Sequence, residues 1–316
     1  MMLKYLSILT MICFPAASFA FQSSESQFEE AQTAREDDEI VVTGRRVEIE
    51  KAARQLAEKV ALKPRSRKAM PRFSDPICLA IIGLDKQQSD AFRKRMYQNL
   101  SYARLNVSKK KCVPNMVVGF SNDISEELDR LVKEQPWLLG RKQSSERRTT
   151  LRRLADAEGA SRAWRVTVPG DRFGNKLKRT DIVKGLPGVE LPEIYDNPES
   201  TSGRIDAATS EIVAVSVVLL DWDDIGQATI GQLADFVTMR ALLPVTGTPD
   251  DEVPTTDTIL SLFSDYGGPE GLTEFDRAFL SGYYRQNMWT ARYGATLSLV
   301  ADQYADAVED AEKAAE

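Results

Sequence analysis

The stretch Glu211-Ile212-Val213-Ala214-Val215-Ser216-Val217-Val218-Leu219-Leu220-Asp221 decides the fold. Between its two acids only Ser216 is polar, and five of the nine inner residues are β-branched. Such a near-continuous apolar run predicts the strongest strand of the protein. Asp221-Trp222-Asp223-Asp224-Ile225-Gly226 then turns the chain, and Gln227 to Leu243 places Ile230, Leu233, Val237 and Ala241 on one helical stripe before Pro244 closes it.

The same grammar recurs upstream. Cys78-Leu79-Ala80-Ile81-Ile82-Gly83, bounded by Pro76 and Gly83, reads as a buried strand, and Ser89 to Val107 carries Phe92, Met96, Leu100, Ala103 and Val107 at helical spacing. Met116–Phe120 is a second strand and Asp123–Lys133 an acid-capped helix. Pro136-Trp137-Leu138-Leu139-Gly140 breaks the chain, Ser145–Glu158 is a third helix and Ala163–Val168 a third strand. Scattered Gly and Pro over 169–203 predict a long surface excursion. Downstream come the short apolar segment Thr258–Phe263, a helix over Thr273–Tyr284 with Thr273 as N-cap and Glu274 and Asp276 in its first turn, and a last helix over Thr290–Asp310. The expected fold is α/β of the α+β kind, a mixed sheet with flanking helices forming a single domain over 75–316. A basic helix and linker over 48–74, ending in the acid-free loop Lys63–Lys68, precedes it.

Composition excludes much chemistry. The 316 residues hold 41 Lys+Arg, 47 Asp+Glu, 3 Cys and no His. Without an imidazole there is no Ser-His-Asp triad, no Cys-His pair, no HExxH zinc site and no histidine–carboxylate iron site. No cofactor and no metal are expected. Charge is divided along the chain: residues 45–195 hold 33 Lys+Arg and 18 Asp+Glu, a balance of +15, whereas 196–316 hold 6 and 22, a balance of −16. The basic patch of Arg147, Arg148, Arg152 and Arg153, with Arg141 and Lys142, reads either as a docking surface for an anion or as a solvated helix face. No aromatic residues interleave with it, so nucleic acid is not an expected partner.

Residues 1–20 carry Lys4, an apolar run from Tyr5 to Phe14, Pro15, and the small residues Ser18 and Ala20. This is the pattern of a secretory signal peptide cleaved after Ala20, which places the chain in the periplasm. No later apolar run has the length of a transmembrane helix. Cleavage removes Cys13 and leaves Cys78 and Cys112, expected to form a disulfide. The acidic tail over 21–47 is expected to be disordered and contains Asp37-Asp38-Glu39-Ile40-Val41-Val42-Thr43-Gly44. These residues resemble a TonB box, the peptide that adds a strand to the periplasmic domain of an energising protein. The resemblance implies a periplasmic protein partner bound by strand addition through Ile40, Val41, Val42 and Thr43. The alternative is a linker strand packed on its own domain.

The C-terminal half resembles a zincin metallopeptidase. Leu272-Thr273-Glu274-Phe275-Asp276, followed by Leu280, Tyr283 and Tyr284, fits the closing helix of metzincins, and Thr258–Phe263 stands where the methionine turn would be, without a Met. In the nearest register Gln232-Leu233-Ala234-Asp235-Phe236 falls on HExxH. Gln232 and Phe236 then replace two ligands, Leu233 the general base, and Leu242 the third ligand. An exported alphaproteobacterial family with such a QLADF-type helix and an LTxFD helix is similar over residues 75–285, and the resemblance implies a degenerate zincin-like scaffold without its metal. The plain alternative makes Leu272, Phe279, Leu280, Tyr283 and the stripe of the preceding helix ordinary core. The expected function is non-catalytic binding or envelope interaction in the periplasm. An alternative keeps Asp221, Asp223 and Asp224, with Asp235 two turns into the next helix, as the acids of a hydrolase of glycan or cell-wall substrates, Trp222 serving as a sugar platform. Those same acids also read as caps and strand-end solvation.

Overall fold

The computed structural model describes residues 44–64, 69–109, 111–140, 144–180, 194–197, 209–245, 257–264, 267–287 and 292–315. The expected signal peptide, the acidic tail with Ile40–Thr43, residues 65–68 of the basic loop, Arg141 and Lys142, and most of the 169–203 excursion lie outside the described residues. Arg46–Glu316 form one compact unit. Among the described residues no helix is long and apolar enough to cross a membrane.

In chain order the elements are α1 (residues 44–60), β1 (Leu79–Ile82), α2 (Lys86–Leu100), β2 (Met116–Ser121), α3 (Ile124–Glu134), a 3₁₀ turn (Pro136–Leu139), α4 (Ser144–Ala155) and β3 (Ser161–Gly170). The hairpin strands β4 (Lys178–Arg179) and β5 (Tyr195–Asp196) follow, then β6 (Ser210–Asp221), α5 (Ile230–Leu242), a 3₁₀ turn (Ile259–Ser261), α6 (Glu274–Arg285) and α7 (Tyr293–Ala315). The main sheet has the order β1-β2-β6-β3. β1, β2 and β6 run parallel and β3 is antiparallel to β6, so the sheet is mixed with helices on its faces.

β6 is an interior strand, hydrogen-bonded on both sides; the edges of the sheet are β1 and β3. The sequence carries the reason. Alternate residues serve two cores: Val213, Val218 and Leu220 join one with α1, α2, α5, α6 and α7, while Val215, Val217 and Leu219 join another with α3, α4 and Trp164. A strand buried on both faces has no polar face to show. The β3 register steps from Val166↔Val215 to Thr167↔Val213, which leaves Ala214 as the extra residue of a β-bulge.

α2 stops short of Val107 because Arg104 takes the left-handed conformation at φ 53. Leu105 N–H then donates to Leu100 O, and Arg104 N–H to Ser101 O, in a Schellman closure. Val107 instead bridges Ile77 beside β1. α1 is no separate appendage: Ala57, Val60 and Ala61 enter the larger core, and Leu62 N–H donates to Pro244 O after α5. Cys78 and Cys112 form the expected disulfide, with Cα atoms 6.1 Å apart.

Candidate functional site

Gln232-Leu233-Ala234-Asp235-Phe236 lies on α5. Thr229 caps it: Gln232 N–H donates to Thr229 Oγ1 at 3.2 Å, and Thr229 N–H donates back to Gln232 Oε1 at 3.0 Å. Gln232 Nε2 donates to Pro269 O, so the Gln232 side chain is spent on a capping box and a loop. Leu233, Phe236 and Leu242 are fully buried, and the Phe236 ring meets Phe263 edge-on at 4.7 Å. The helix lies sealed in the core.

Asp235 has no exposure and is held by a partner 140 residues away in sequence. Arg95 of α2 donates to both its oxygens at 2.7 and 2.6 Å, Asn99 Nδ2 to Oδ1 at 2.7 Å and Leu272 N–H to Oδ2 at 3.1 Å. Hydrogen bonding to this carboxylate holds the Arg95 guanidinium above its ordinary value. A buried charge needs such a set of donors. Asp235 therefore ties α2, α5 and the entry to α6 together. The sequence reading grouped it with the acids after β6. The signal for the pairing was an acid set among Leu233, Ala234, Phe236 and Val237.

α6, which begins at Leu272-Thr273-Glu274-Phe275-Asp276, is built likewise. Thr273 caps α6 with Asp276 as its reciprocal partner. Asp276, fully buried, also accepts Thr258 Oγ1–H at 2.6 Å and Ile259 N–H at 2.8 Å, pinning the 3₁₀ turn to the helix start. Burial pushes its carboxyl up to about 6, against the pull of the Thr258 hydroxyl and the Thr273 and Ile259 N–H groups. Tyr283 Oη–H donates to Pro71 O and Tyr284 Oη–H to Leu242 O, so both tyrosines are consumed in packing.

The carboxylates after β6 do not converge. Asp221 Oδ1 accepts Asp223 N–H at 3.1 Å in a local turn, Asp223 and Asp224 face solvent, and Asp235 belongs to the Arg95 pair. Among the described residues no group of three or more Asp, Glu or Cys could share a metal ion. Trp222 is half-buried and its ring packs 5.2 Å from Phe120. The neighbouring acids Asp85 and Asp123 accept the Gln88 and Glu126 N–H groups as N-caps of α2 and α3.

Of the basic patch, Arg148, Arg152 and Arg153 are exposed on α4, while Arg147 is half-buried and donates to Gly140 O. Three cations away from that patch turn inward, Arg72 and Arg240 buried and Arg165 half-buried. Arg165 of β3 donates to the carbonyls of Arg240, Ala241 and Leu243, closing the C-terminal end of α5 where positive charge is favoured. Arg240 beside it donates to Val245 O and is lowered to about 9 by burial, with the nearby Arg165 and Arg162 charges adding to the shift. Arg72 lies 4.9 Å over the Tyr283 ring and donates to Gln286. No family model, no curated protein and no solved structure matches the chain.

Proposed function

We propose that the chain is an exported, non-catalytic binding protein of the periplasm on a zincin-like scaffold, engaging an envelope protein through strand addition by Ile40–Thr43. One observation carries the non-catalytic part. The helix on which a zincin hangs its ligands is closed off here by its own cap, by Phe236 and Leu242 in the core and by the Arg95–Asp235 pair. A side chain already satisfied on all sides has no free atom to offer a substrate or an ion. The glycan-hydrolase reading loses support for a related reason, since Asp221 is spent on a turn and Asp223 and Asp224 point to solvent. The binding part rests on the sequence: an acidic tail ending in the β-prone run Ile40–Thr43 has the composition of a peptide that adds a strand to a sheet edge.

The experiment is a pull-down of the full chain with the periplasmic domain of a TonB-type energising protein, beside a variant lacking residues 37–44. The expected outcome is retention of the full chain and loss of the deletion variant. Equal retention of both, or of neither, overturns the strand-addition reading. Stoichiometric zinc in the purified protein, or chelator-sensitive peptide cleavage, overturns the non-catalytic one.

A further inference from the structure

A groove lies beside the Cys78–Cys112 disulfide. It is a cavity of about 420 Å³ at the amino-terminal ends of β1 and β2, the end of the sheet opposite Asp221. Segments far apart in sequence build it: Pro76 and Cys78 before β1, Cys112 to Pro114 before β2, Trp137 of the 3₁₀ turn, and Ala214 with Val215 of β6. Ala214 is the bulge residue, and a bulge bends its strand and re-aims what it carries. Val113 is 80% exposed and Trp137 42%. The disulfide pins the backbone beside Val113, and Trp137 Nε1–H donates to Gln135 Oε1 at 2.7 Å. Large apolar groups held rigid and wet around a concavity are the hallmark of a docking site, because the cost of ordering them is met before the partner arrives.

Two further observations say what fits. The charged and amide side chains of the lining are already paired: Asn115 Oδ1 accepts Cys78 N–H, its Nδ2 donates to Pro76 O, and Lys176 pairs with Asp75. A sugar, which needs free donors and acceptors, would find few. The charges of the lining, Lys176 and Asp75, neutralise each other, and the segment at its rim is basic: exposed Lys109 and Lys111 stand next to the lining residues Ser108 and Cys112, and no acid occurs between Asp90 and Asp123. We propose that this groove docks a segment of a protein partner in which an apolar side chain is flanked by acidic residues, the side chain seating between Val113 and Trp137 and the acids meeting the lysines. The inference rests on the reading of the chain as a binding protein, but on residues that the strand-addition test does not touch.

The test uses biotinylated seven-residue probes with a central photoreactive leucine flanked by Glu, Lys or Ser, cross-linked to the purified full chain and mapped by mass spectrometry. The Glu-flanked probe should label residues 112–115 and 137 about tenfold more than the other two, with the excess shrinking in ~1 M salt as charges are screened. Val113→Ser with Trp137→Ser should reduce its labelling to that of the Ser-flanked probe while the thermal midpoint stays put, both residues being exposed. Lys109→Glu with Lys111→Glu should transfer the preference to the Lys-flanked probe. Adducts scattered outside the groove, equal yields from all three probes, or labelling indifferent to the Val113 and Trp137 changes would overturn the proposal. Groove labelling that persists while the tail deletion leaves the pull-down unchanged would discard strand addition and keep the groove.

Discussion

Asp276 is the residue whose titration can be read from its surroundings. Its carboxyl lies at about 6 in the fold, pushed there by burial, against 3.8 for the free group. Between those values the folded chain holds a proton that the unfolded chain has released, so this group's contribution is complete below about pH 4 and is lost as pH rises through 6. The difference amounts to about 3 kcal/mol at most. Asp276→Asn removes the titration and two acceptor sites, those for Ile259 and Thr273 N–H. Urea unfolding should therefore find the variant weaker than the parent at both pH 4.5 and pH 7.5, but more so at pH 4.5. Parallel pH profiles for parent and variant would show that Asp276 does not change its protonation in this range.

At the scale of elements, strand ends are where this fold is least forgiving. Gly83 closes β1 at φ 88, and a Cβ there would run into the Phe120 carbonyl oxygen, an atom of the neighbouring strand's backbone. Neither the dihedral nor the contact can relax cheaply, so Gly83→Ala should destabilise by about 3 kcal/mol or more, seen as a lower urea midpoint with unchanged slope. The sequence reading marked Gly83 as the end of a strand, and the other elements were legible for the same kind of reason. The apolar run of β6, the Thr273 cap of α6 and the stripe of α5 are local signals that one segment carries by itself. What stayed hidden is set between segments. Nothing near Glu211–Asp221 fixes its place between β2 and β3, nor the slip that leaves Ala214 unpaired. Asp235 reads as one more acid beside Asp221, Asp223 and Asp224 until Arg95 and Asn99 arrive from another helix. Trp137 looked only like a chain break, whereas the groove it lines needs the loop before β2 and the bulge of β6 to exist.

For the whole molecule the disulfide is the longest-range constraint that chemistry can remove. Cys78 and Cys112 are 34 residues apart and enclose β1 and all of α2, so the unfolded chain is denied a loop whose closure is worth about 4 kcal/mol in the chain-entropy model. That share is comparable with the net stability of many domains. The folded state around the bond is held by other means as well: Asn115 and Met116 N–H donate to Cys78 O, Ile77 N–H donates to Asn106 O, and Phe92, Met96 and Leu100 are fixed in the core. At the opposite end of the chain order, Arg46 donates to Asp306, Glu309 and Glu50, joining α1 to α7 without the disulfide. Reduction should thus act mainly on the unfolded ensemble. Cys78→Ala with Cys112→Ala should lower the urea midpoint by an amount equivalent to about 4 kcal/mol and raise the slope, because the unlinked chain exposes more surface, while the near-ultraviolet signal of the folded protein persists. Loss of that signal before any denaturant is added would mean that the bond holds the native wall of the groove in place, and labelling of residues 112–115 by the acidic probe should then fall with it.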